Sequence, residues 1–215
     1  MGAAIEKVDN GRIATVAKKK VLRQRLLTAA KNLTPAGRQE ADRQIRRLLT
    51  GMEQYRQAQT LFIFIGTGWE VDTWPLIEDA LKQGKLVAVP RCLPGTGAAS
   101  GGGVMEACLI DSRRELRQVP PLGLWEPAQG SPVLPAQAID FAVVPCLACD
   151  KAGYRLGRGG GFYDRFLTQG SFYKAAVCRQ DFLQDELPLE PHDQAVDAVV
   201  TEAGIYYKKS GIQHG

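Results

Sequence analysis

The sequence lacks any apolar run long enough to cross a membrane. The segment from residue 1 to residue 16 also lacks the apolar stretch of a secretory signal peptide, because Glu6 and Asp9 interrupt it. We therefore expect a cytoplasmic protein without a membrane partner. Residues 1–17 are predicted to form a flexible leader and residues 208–215 a flexible tail.

The cysteines do not form a complete metal-binding pattern. The chain has 5 cysteines, an odd number, which without a secretion signal favours free thiols in a reducing compartment. Cys146 and Cys149 have the spacing of zinc or redox sites, but no second Cys-x-x-Cys or His-x-x-x-His accompanies them. The favoured interpretation is therefore small, buried apolar residues at the end of a strand.

The charge is mild and not concentrated in a basic stripe. A formal net charge of +4 suits an anionic small molecule but does not require one. The only basic cluster covers residues 18–25, and it is typical of a solvated helix face. A nucleic-acid-binding protein that uses this cluster remains an alternative, which predicts strongly salt-dependent affinity for RNA or DNA. We expect no nucleic-acid partner and a monomer.

Helical and strand patterns alternate along the chain, and its length of 215 residues suits one domain. The predicted helices cover residues 22–33, a segment that begins with the N-cap Thr34 and continues to 52, residues 73–83, and residues 163–168. The predicted strands cover residues 61–65, 86–89, 104–110, 139–144, 175–178 and 198–200. This alternation predicts an α/β fold, a three-layer α/β/α sandwich with a mostly parallel, Rossmann-like sheet. The domain is predicted to span residues 18–207, with ligands beyond the carboxyl ends of its strands.

The most informative segment combines glycines and arginines before a short helix. It reads Arg155, Leu156, Gly157, Arg158, Gly159, Gly160, Gly161, Phe162, Tyr163, Asp164 and Arg165. Glycines allow backbone N–H groups to approach an anion, and arginines are bidentate donors to phosphate. A carboxylate beside them can hold Mg²⁺. The segment therefore predicts a site for ATP and magnesium, although it matches neither the P-loop nor the dinucleotide fingerprint.

The same segment resembles the signature of the 5-formyltetrahydrofolate cyclo-ligase family, also called methenyltetrahydrofolate synthetases. The resemblance rests on "GYRLGRGGGFYDRFL" at residues 153–167 and on "KKVLR" at residues 19–23. It extends, in the order of the family, to three further segments: "GWEVDTWPLIEDALKQGKLVAVPR" at 68–91, "GLWEP" at 123–127 and "ELPLEPHDQAVDAVVTE" at 186–202. It thus covers the chain from about residue 18 to residue 202.

The resemblance implies an ATP-dependent cyclisation of 5-formyltetrahydrofolate to 5,10-methenyltetrahydrofolate, with release of ADP and phosphate. Transfer of the γ-phosphoryl group would turn the formyl oxygen into a good leaving group. The neighbouring anilino nitrogen would then attack and close the ring. Such chemistry needs positioning and charge neutralisation rather than a protein nucleophile.

The resemblance also implies roles for individual residues. Lys19 and Arg23, one helical turn apart, would contact phosphate, and residues 155–163 would form the ATP-binding loop. Residues 158–162 would also face the folate, with Ile65 and Glu70 at the pterin. Arg158 and Lys19 are the expected catalytic residues, and Asp164 and Asp193 the expected Mg²⁺ ligands.

Structural interpretations of single residues stay open. Glu70 could be a solvated loop acid, Asp193 part of an Asx turn, and Asp164 a helix cap.

The chain departs from the family pattern at three positions. Phe162 and Gly160 stand where some relatives have tyrosine and lysine, and Phe182 stands where the family usually has glutamine. Two other functions remain alternatives, a ligand-binding module without turnover and a different small-molecule kinase or ligase.

Overall fold

The structure is a computed structural model that describes residues 2–93, 103–120 and 123–208, with side chains described from residue 11 onward. Its helices are α1 (Gly2–Ala30), α2 (Pro35–Gly51), α3 (Glu53–Gln57), α4 (Trp74–Lys82) and α5 (Phe162–Leu167). Three short 3-10 helices cover Arg113–Glu115, Ala136–Ala138 and Gln180–Phe182.

The strands are numbered in chain order. They are β1 (Thr60–Ile63), β2 (Leu86–Leu93), β3 (Val104–Ile110), β4 (Leu116–Val119), β5 (Leu124–Pro127), β6 (Val133–Leu134), β7 (Phe141–Pro145), β8 (Ala148–Asp150), β9 (Arg155–Leu156), β10 (Tyr173–Val177), β11 (Leu183–Gln184), β12 (Ala198–Thr201) and β13 (Gly204–Tyr207).

One central sheet organises the fold. Its strand order is β13-β12-β10-β7-β1-β2-β3-β6, and the five strands from β12 to β2 are parallel. Antiparallel strands complete both edges, β13 on one side and β3 with β6 on the other. The predicted mostly parallel sheet is therefore confirmed, whereas the sheet does not end at β12 as the sequence indicated.

Helices cover both faces of the sheet, which gives the predicted three layers. Alternate residues of β1 point to opposite faces: Phe62 packs with α1 and α5, whereas Leu61 and Ile63 pack with α2, α3 and α4. The central strands β1 and β7 are buried on both faces, as in covered parallel sheets. The carboxyl ends of β1 and β7 consequently meet on one edge, where the loops with the sequence motifs begin.

Helix α1 differs from the predicted flexible leader. It begins at Gly2 and continues to Ala30, so residues 2–17 are helical. Its buried face contains Leu26 and Ala30, whereas Ala29 of the predicted stripe is exposed. The N-cap prediction for α2 is confirmed, because the Thr34 hydroxyl accepts a hydrogen bond from Gly37 N. The domain boundary at residue 18 stays a prediction.

Two predicted segments lie largely outside the described residues. They are the tail beyond residue 208 and the segment 95–103 before β3, whose glycines predict a flexible loop. Within the described residues, no helix combines the length and apolarity needed to cross a membrane.

Candidate active site

The glycine-rich loop joins β9 to α5 at the carboxyl edge of the sheet. Gly159 and Gly161 have φ angles of +99° and +64°, which residues other than glycine rarely adopt. In the part of the chain that the structure describes, the N–H groups of residues 158–160 donate to no other backbone group. Donors of this kind, in a loop in which four of five residues are glycine, are suited to an anion.

Arg158 projects from this loop onto the loop that follows β1. Its Nη2 lies 3.1 Å from Glu70 Oε1 and donates to Thr67 Oγ1 at 3.2 Å. Its guanidinium also lies over the Trp69 ring, 5.4 Å from the centroid. The Arg158 side chain is 45% exposed and that of Glu70 is 10% exposed, so the arginine remains accessible from solvent.

Glu70 is fixed by its own loop. Its Oε2 accepts hydrogen bonds from Thr67 N and Thr67 Oγ1, both at 3.0 Å. Arg179 also stabilises this loop, because its guanidinium donates to Trp69 O at 2.5 Å and to Glu70 O at 3.2 Å. It also contacts Asp42 on α2 at 2.5 Å. Glu70 is thus a held carboxylate rather than a solvated loop acid.

Lys19 lies on α1 and is 5% exposed. Its ammonium group is 2.6 Å from Asp193 Oδ2 and 2.9 Å from Glu190 Oε2. Asp193 also accepts a hydrogen bond from Glu190 N at 2.7 Å, three residues before it, and this differs from an Asx turn, in which the side chain accepts from a following residue. The lysine therefore fixes the segment that carries one predicted metal ligand.

Arg23 lies one turn further along α1 and reaches the glycine-rich loop. Its Nε donates to Gly157 O at 2.8 Å. The guanidinium also packs against Gly159, where an added Cβ would lie 3.5 Å from its Cζ. Lys19 and Arg23 thus face the same region, as their spacing predicts.

Arg155 is held by the protein itself. Its side chain is 3% exposed and lies 3.0 Å from Asp164 Oδ1, and it also donates to Gln194 O. Gln194 N in turn approaches Asp164 Oδ1 at 3.4 Å. Leu156 is also buried, so these two side chains position the loop, and ligand contacts from them stay a prediction. Asp164 lies inside α5, and Gly161 is the N-cap.

The carboxylates of the site fit a hard cation. In the described parts of the chain, hydrogen bonds engage Oδ1 of Asp164 and Oδ2 of Asp193, which leaves the second oxygen of each carboxylate for Mg²⁺. Glu190, His192 and Asp193 form a group whose ligand atoms lie within 4.8 Å of one another. Glu190 is therefore a further carboxylate beside Asp193.

Aromatic side chains line the inner end of the loop. The Phe162 ring packs over Gly160 and Gly103 and under the Arg165 guanidinium, 5.4 Å from its centroid. Loss of solvent around the Tyr163 hydroxyl raises its pKa well above the usual value, so this hydroxyl stays protonated. Ile65 is partly buried and packs against the core that the sheet forms with α2, α3 and α4.

Comparison with known proteins identifies the family. A model of the 5-formyltetrahydrofolate cyclo-ligase family matches residues 15–202. The chain belongs to this family.

Curated relatives cover nearly the whole chain. The 5-formyltetrahydrofolate cyclo-ligase of Mycolicibacterium smegmatis is 33% identical over 85% of this chain and 93% of its own. The protein of the same name from Escherichia coli K12 is 31% identical over 81% of this chain and 94% of its own.

Solved structures agree with the fold. The 5,10-methenyltetrahydrofolate synthetase of Aquifex aeolicus superimposes with a TM-score of 0.76 at 26% identity, over 90% of this chain and 94% of that one. The 5,10-methenyltetrahydrofolate synthetase of Mycoplasma pneumoniae gives 0.67 at 20% identity, over 86% and 99%, and supports the fold alone.

Sequence reasoning missed several residues that organise the site of this family member. Glu190 and Gln194 flank Asp193, and their position in the segment was the only sequence signal for them. Thr67 lies three residues before Glu70, within a turn that the sequence does not specify. Arg179 lies three residues before Phe182 and carries no sequence signal of its own, because its contacts with the Glu70 loop depend on the tertiary fold.

Proposed function

We propose that this protein uses ATP and Mg²⁺ to convert 5-formyltetrahydrofolate to 5,10-methenyltetrahydrofolate, ADP and phosphate. Family membership supports the cyclo-ligase activity. The observation that carries the site assignment is the Arg158–Glu70 contact, because it joins the anion-binding loop to the predicted pterin loop. Both substrates can therefore meet at one arginine.

The phosphate end of the site consists of cations and free backbone donors. Lys19 and Arg23 approach from α1, and Arg23 contacts the loop that carries the N–H groups of residues 158–160. Fixed donors stabilise charge that develops on a transferring phosphoryl group without a reorganisation cost at the moment of reaction. We assign the ATP phosphates to this region.

The folate end lies between the β1 loop and the glycine-rich loop. Glu70 has an acceptor fixed by Thr67, which suits the N–H groups of a pterin ring. Trp69 offers a ring face beside Arg158, and Ile65 an apolar surface. We assign the pterin to Glu70 and the formyl group to the neighbourhood of Arg158.

Asp164 and Asp193 would hold Mg²⁺, with Glu190 as a further carboxylate. When bound, the cation neutralises phosphate charge beside the scissile bond. Arg155 keeps Asp164 oriented, and Lys19 keeps Asp193 oriented. These pairs determine where the carboxylate oxygens lie before any ligand arrives.

The proposed reaction has two steps. The formyl oxygen takes the γ-phosphoryl group and ADP leaves. The anilino nitrogen then forms a bond to the formyl carbon and loses its proton, while the carbon–oxygen bond breaks and phosphate departs. The Arg158 side chain is exposed enough for its guanidinium to contact first the transferring phosphoryl group and then the leaving phosphate.

The test measures the near-ultraviolet absorbance of the methenyl product with 5-formyltetrahydrofolate, ATP and Mg²⁺. The expected result is a rise that needs both ATP and Mg²⁺. Arg158→Ala should lower kcat by about 100-fold or more, the typical cost of one transition-state donor. Arg114→Ala is the matched control, because Arg114 is an exposed arginine in the short 3-10 helix between β3 and β4.

Two outcomes would contradict the proposal. Folate binding without product would indicate a binding module. Turnover that Arg158→Ala and Asp164→Ala leave unchanged would exclude the assigned site while keeping the activity.

A further inference from the structure

Three cysteines converge at the carboxyl edge of the sheet, beside the site described above. Cys146 follows β7 and Cys178 follows β10, and these neighbouring parallel strands pair with Pro145 opposite Val177. The two cysteines therefore leave the sheet side by side. Cys149 on β8 completes the group, with its Sγ 3.0 Å from Cys146 Sγ. All three sulfurs lie within 4.8 Å of one another.

The donor set of this thiol cluster (Cys146, Cys149 and Cys178) is purely sulfur. Among the described residues, no histidine or carboxylate belongs to the group. Cys149 and Cys178 are buried in the apolar core between α1, α5 and the sheet, whereas Cys146 is partly exposed. Sulfur ligands in apolar surroundings select thiophilic cations over hard ones such as Mg²⁺. Cys146 is the member of the cluster closest to solvent.

The sulfur spacing suits a single ion. Metal–sulfur bonds of about 2.3 Å in a tetrahedral site place sulfurs about 3.8 Å apart. The observed separations run from 3.0 Å to at most 4.8 Å, so they bracket this value and small rotamer changes would equalise them. We propose that the thiol cluster is a binding site for one thiophilic d10 cation of the zinc or copper(I) class.

The three thiols differ in how readily they lose a proton. Contact with the neighbouring thiols raises the pKa of Cys146, and burial raises that of Cys149, both well above the usual value, whereas that of Cys178 is lowered by the other two thiols. A bound cation would displace the remaining protons, and Arg155, the partner of Cys149 across the β8–β9 ladder, would favour that loss. A divalent cation with three thiolates carries one net negative charge, which this arginine faces. Water entering beside Cys146 would supply a fourth ligand to zinc.

A bound cation would connect two parts of the active-site scaffold. Cys149 pairs with Arg155, which begins the glycine-rich loop. Cys178 immediately precedes Arg179, which supports the Glu70 loop. The cation should therefore raise the melting temperature of the whole domain without contacting a substrate.

The main competing chemistry is a disulfide between Cys146 and Cys149. Its formation would release two protons and two electrons to a disulfide- or peroxide-class oxidant and join the two sulfurs. That reaction involves only two thiols, whereas the structure brings a third to the same point. The role of Cys178 distinguishes the two possibilities.

The test uses full-length protein, reduced and treated with a chelator that is then removed. Zn²⁺ is added and bound metal is counted after equilibrium dialysis. Cd²⁺ provides a second probe, through the ultraviolet sulfur-to-metal charge-transfer band. The expected result is one equivalent per chain, together with a higher melting temperature.

The variants decide the assignment. Cys178→Ser should abolish stoichiometric uptake and the charge-transfer band, and Cys146→Ser, at the partly exposed position, should do the same if Cys178→Ser fails to fold. Cys108→Ala, at a buried thiol on β3 outside the cluster, should bind like the wild type. Uptake that survives Cys178→Ser overturns the proposal. So does a reduced wild type that takes up no cation, with or without a Cys146–Cys149 disulfide in protein isolated without reductant. Neither result depends on cyclo-ligase turnover.

Discussion

Lys19→Ala tests the charge arrangement at the phosphate end of the site. The substitution removes the ammonium group that lies between Asp193 and Glu190, whose side chains are 10% and 11% exposed. Loss of one partner from a buried ion pair typically costs about 3–5 kcal/mol, because the remaining charge has no compensation. Asp193 keeps its hydrogen bond from Glu190 N, so we expect the low end, about 3 kcal/mol.

The measurement is thermal and urea unfolding at neutral pH, followed by circular dichroism. For a domain of this size, about 3 kcal/mol corresponds to a fall of roughly 6–12 °C in Tm. Lys20→Ala is the matched control, because Lys20 is the adjacent lysine on α1 and is exposed. Surface substitutions of this kind usually change stability by less than about 0.5 kcal/mol.

Two further results distinguish charge from packing. The double variant Lys19→Ala/Asp193→Asn should recover part of the loss, since one unpaired carboxylate is removed. Mg²⁺ should raise the Tm of Lys19→Ala more than that of the wild type, because a cation can take the place of the ammonium group. Equal stability of Lys19→Ala and Lys20→Ala would refute the reasoning.

Three other substitutions test single features of the structure. Arg179→Ala should cost about 3–5 kcal/mol and raise the KM for the folate. Burial raises the pKa of Asp42, and the Arg179 guanidinium opposes this shift, so removal of the guanidinium raises the pKa of Asp42 further. The difference in unfolding free energy between wild type and Arg179→Ala should therefore increase from mildly acidic to neutral pH, as measured by urea unfolding. Burial raises the pKa of Tyr55 from 10.0 to about 12. The protonated hydroxyl contributes stability below the pKa of the unfolded state, and this contribution is lost as the pH rises through the pKa of the folded state. The wild type should therefore lose about 2–3 kcal/mol of unfolding free energy at alkaline pH, and Tyr55→Phe should not show this loss. At neutral pH that variant should match the wild type within about 1 kcal/mol, because the hydroxyl is buried without a partner. In Gly66→Ala the new Cβ would lie 1.9 Å from a backbone carbonyl oxygen of the same loop, so we expect a loss of about 1–3 kcal/mol and weaker folate binding, whereas Gly51→Ala, with open space around it, should have neither effect.

The fold was predictable because its signals are local and repeated. Buried β-branched strands alternate with capped helices, and the predicted N-cap Thr34 is observed. The sequence is less informative where its pattern is weak. The short edge strand β13 carries little pattern of its own, and α1 extends through residues 2–17, whose composition is mixed and whose described side chains, from residue 11, are mostly exposed.

The site was predictable from the family motif, but its partners were not. The motif indicates Arg158 and Asp164, yet only the fold shows that Arg158 meets Glu70 and that Asp164 holds Arg155. Cys178 illustrates the same limit. It is distant in sequence from the Cys-x-x-Cys pair, and only the pairing of β7 with β10 brings it there.

The pairing of charges across the site has a consequence for how ligands enter. Three of the four candidate cations contact a carboxylate, Lys19 with Asp193, Arg155 with Asp164, and Arg158 with Glu70, whereas Arg23 contacts the Gly157 carbonyl. A phosphate alone would have to compete with these carboxylates, and a magnesium ion alone would have to compete with the cations. If both enter together, they would exchange partners, since the metal would take the two aspartates and the phosphates would take the lysine and arginines. The net charge of the site would then change less than on entry of the nucleotide alone, which favours entry of nucleotide and metal as one unit rather than in succession.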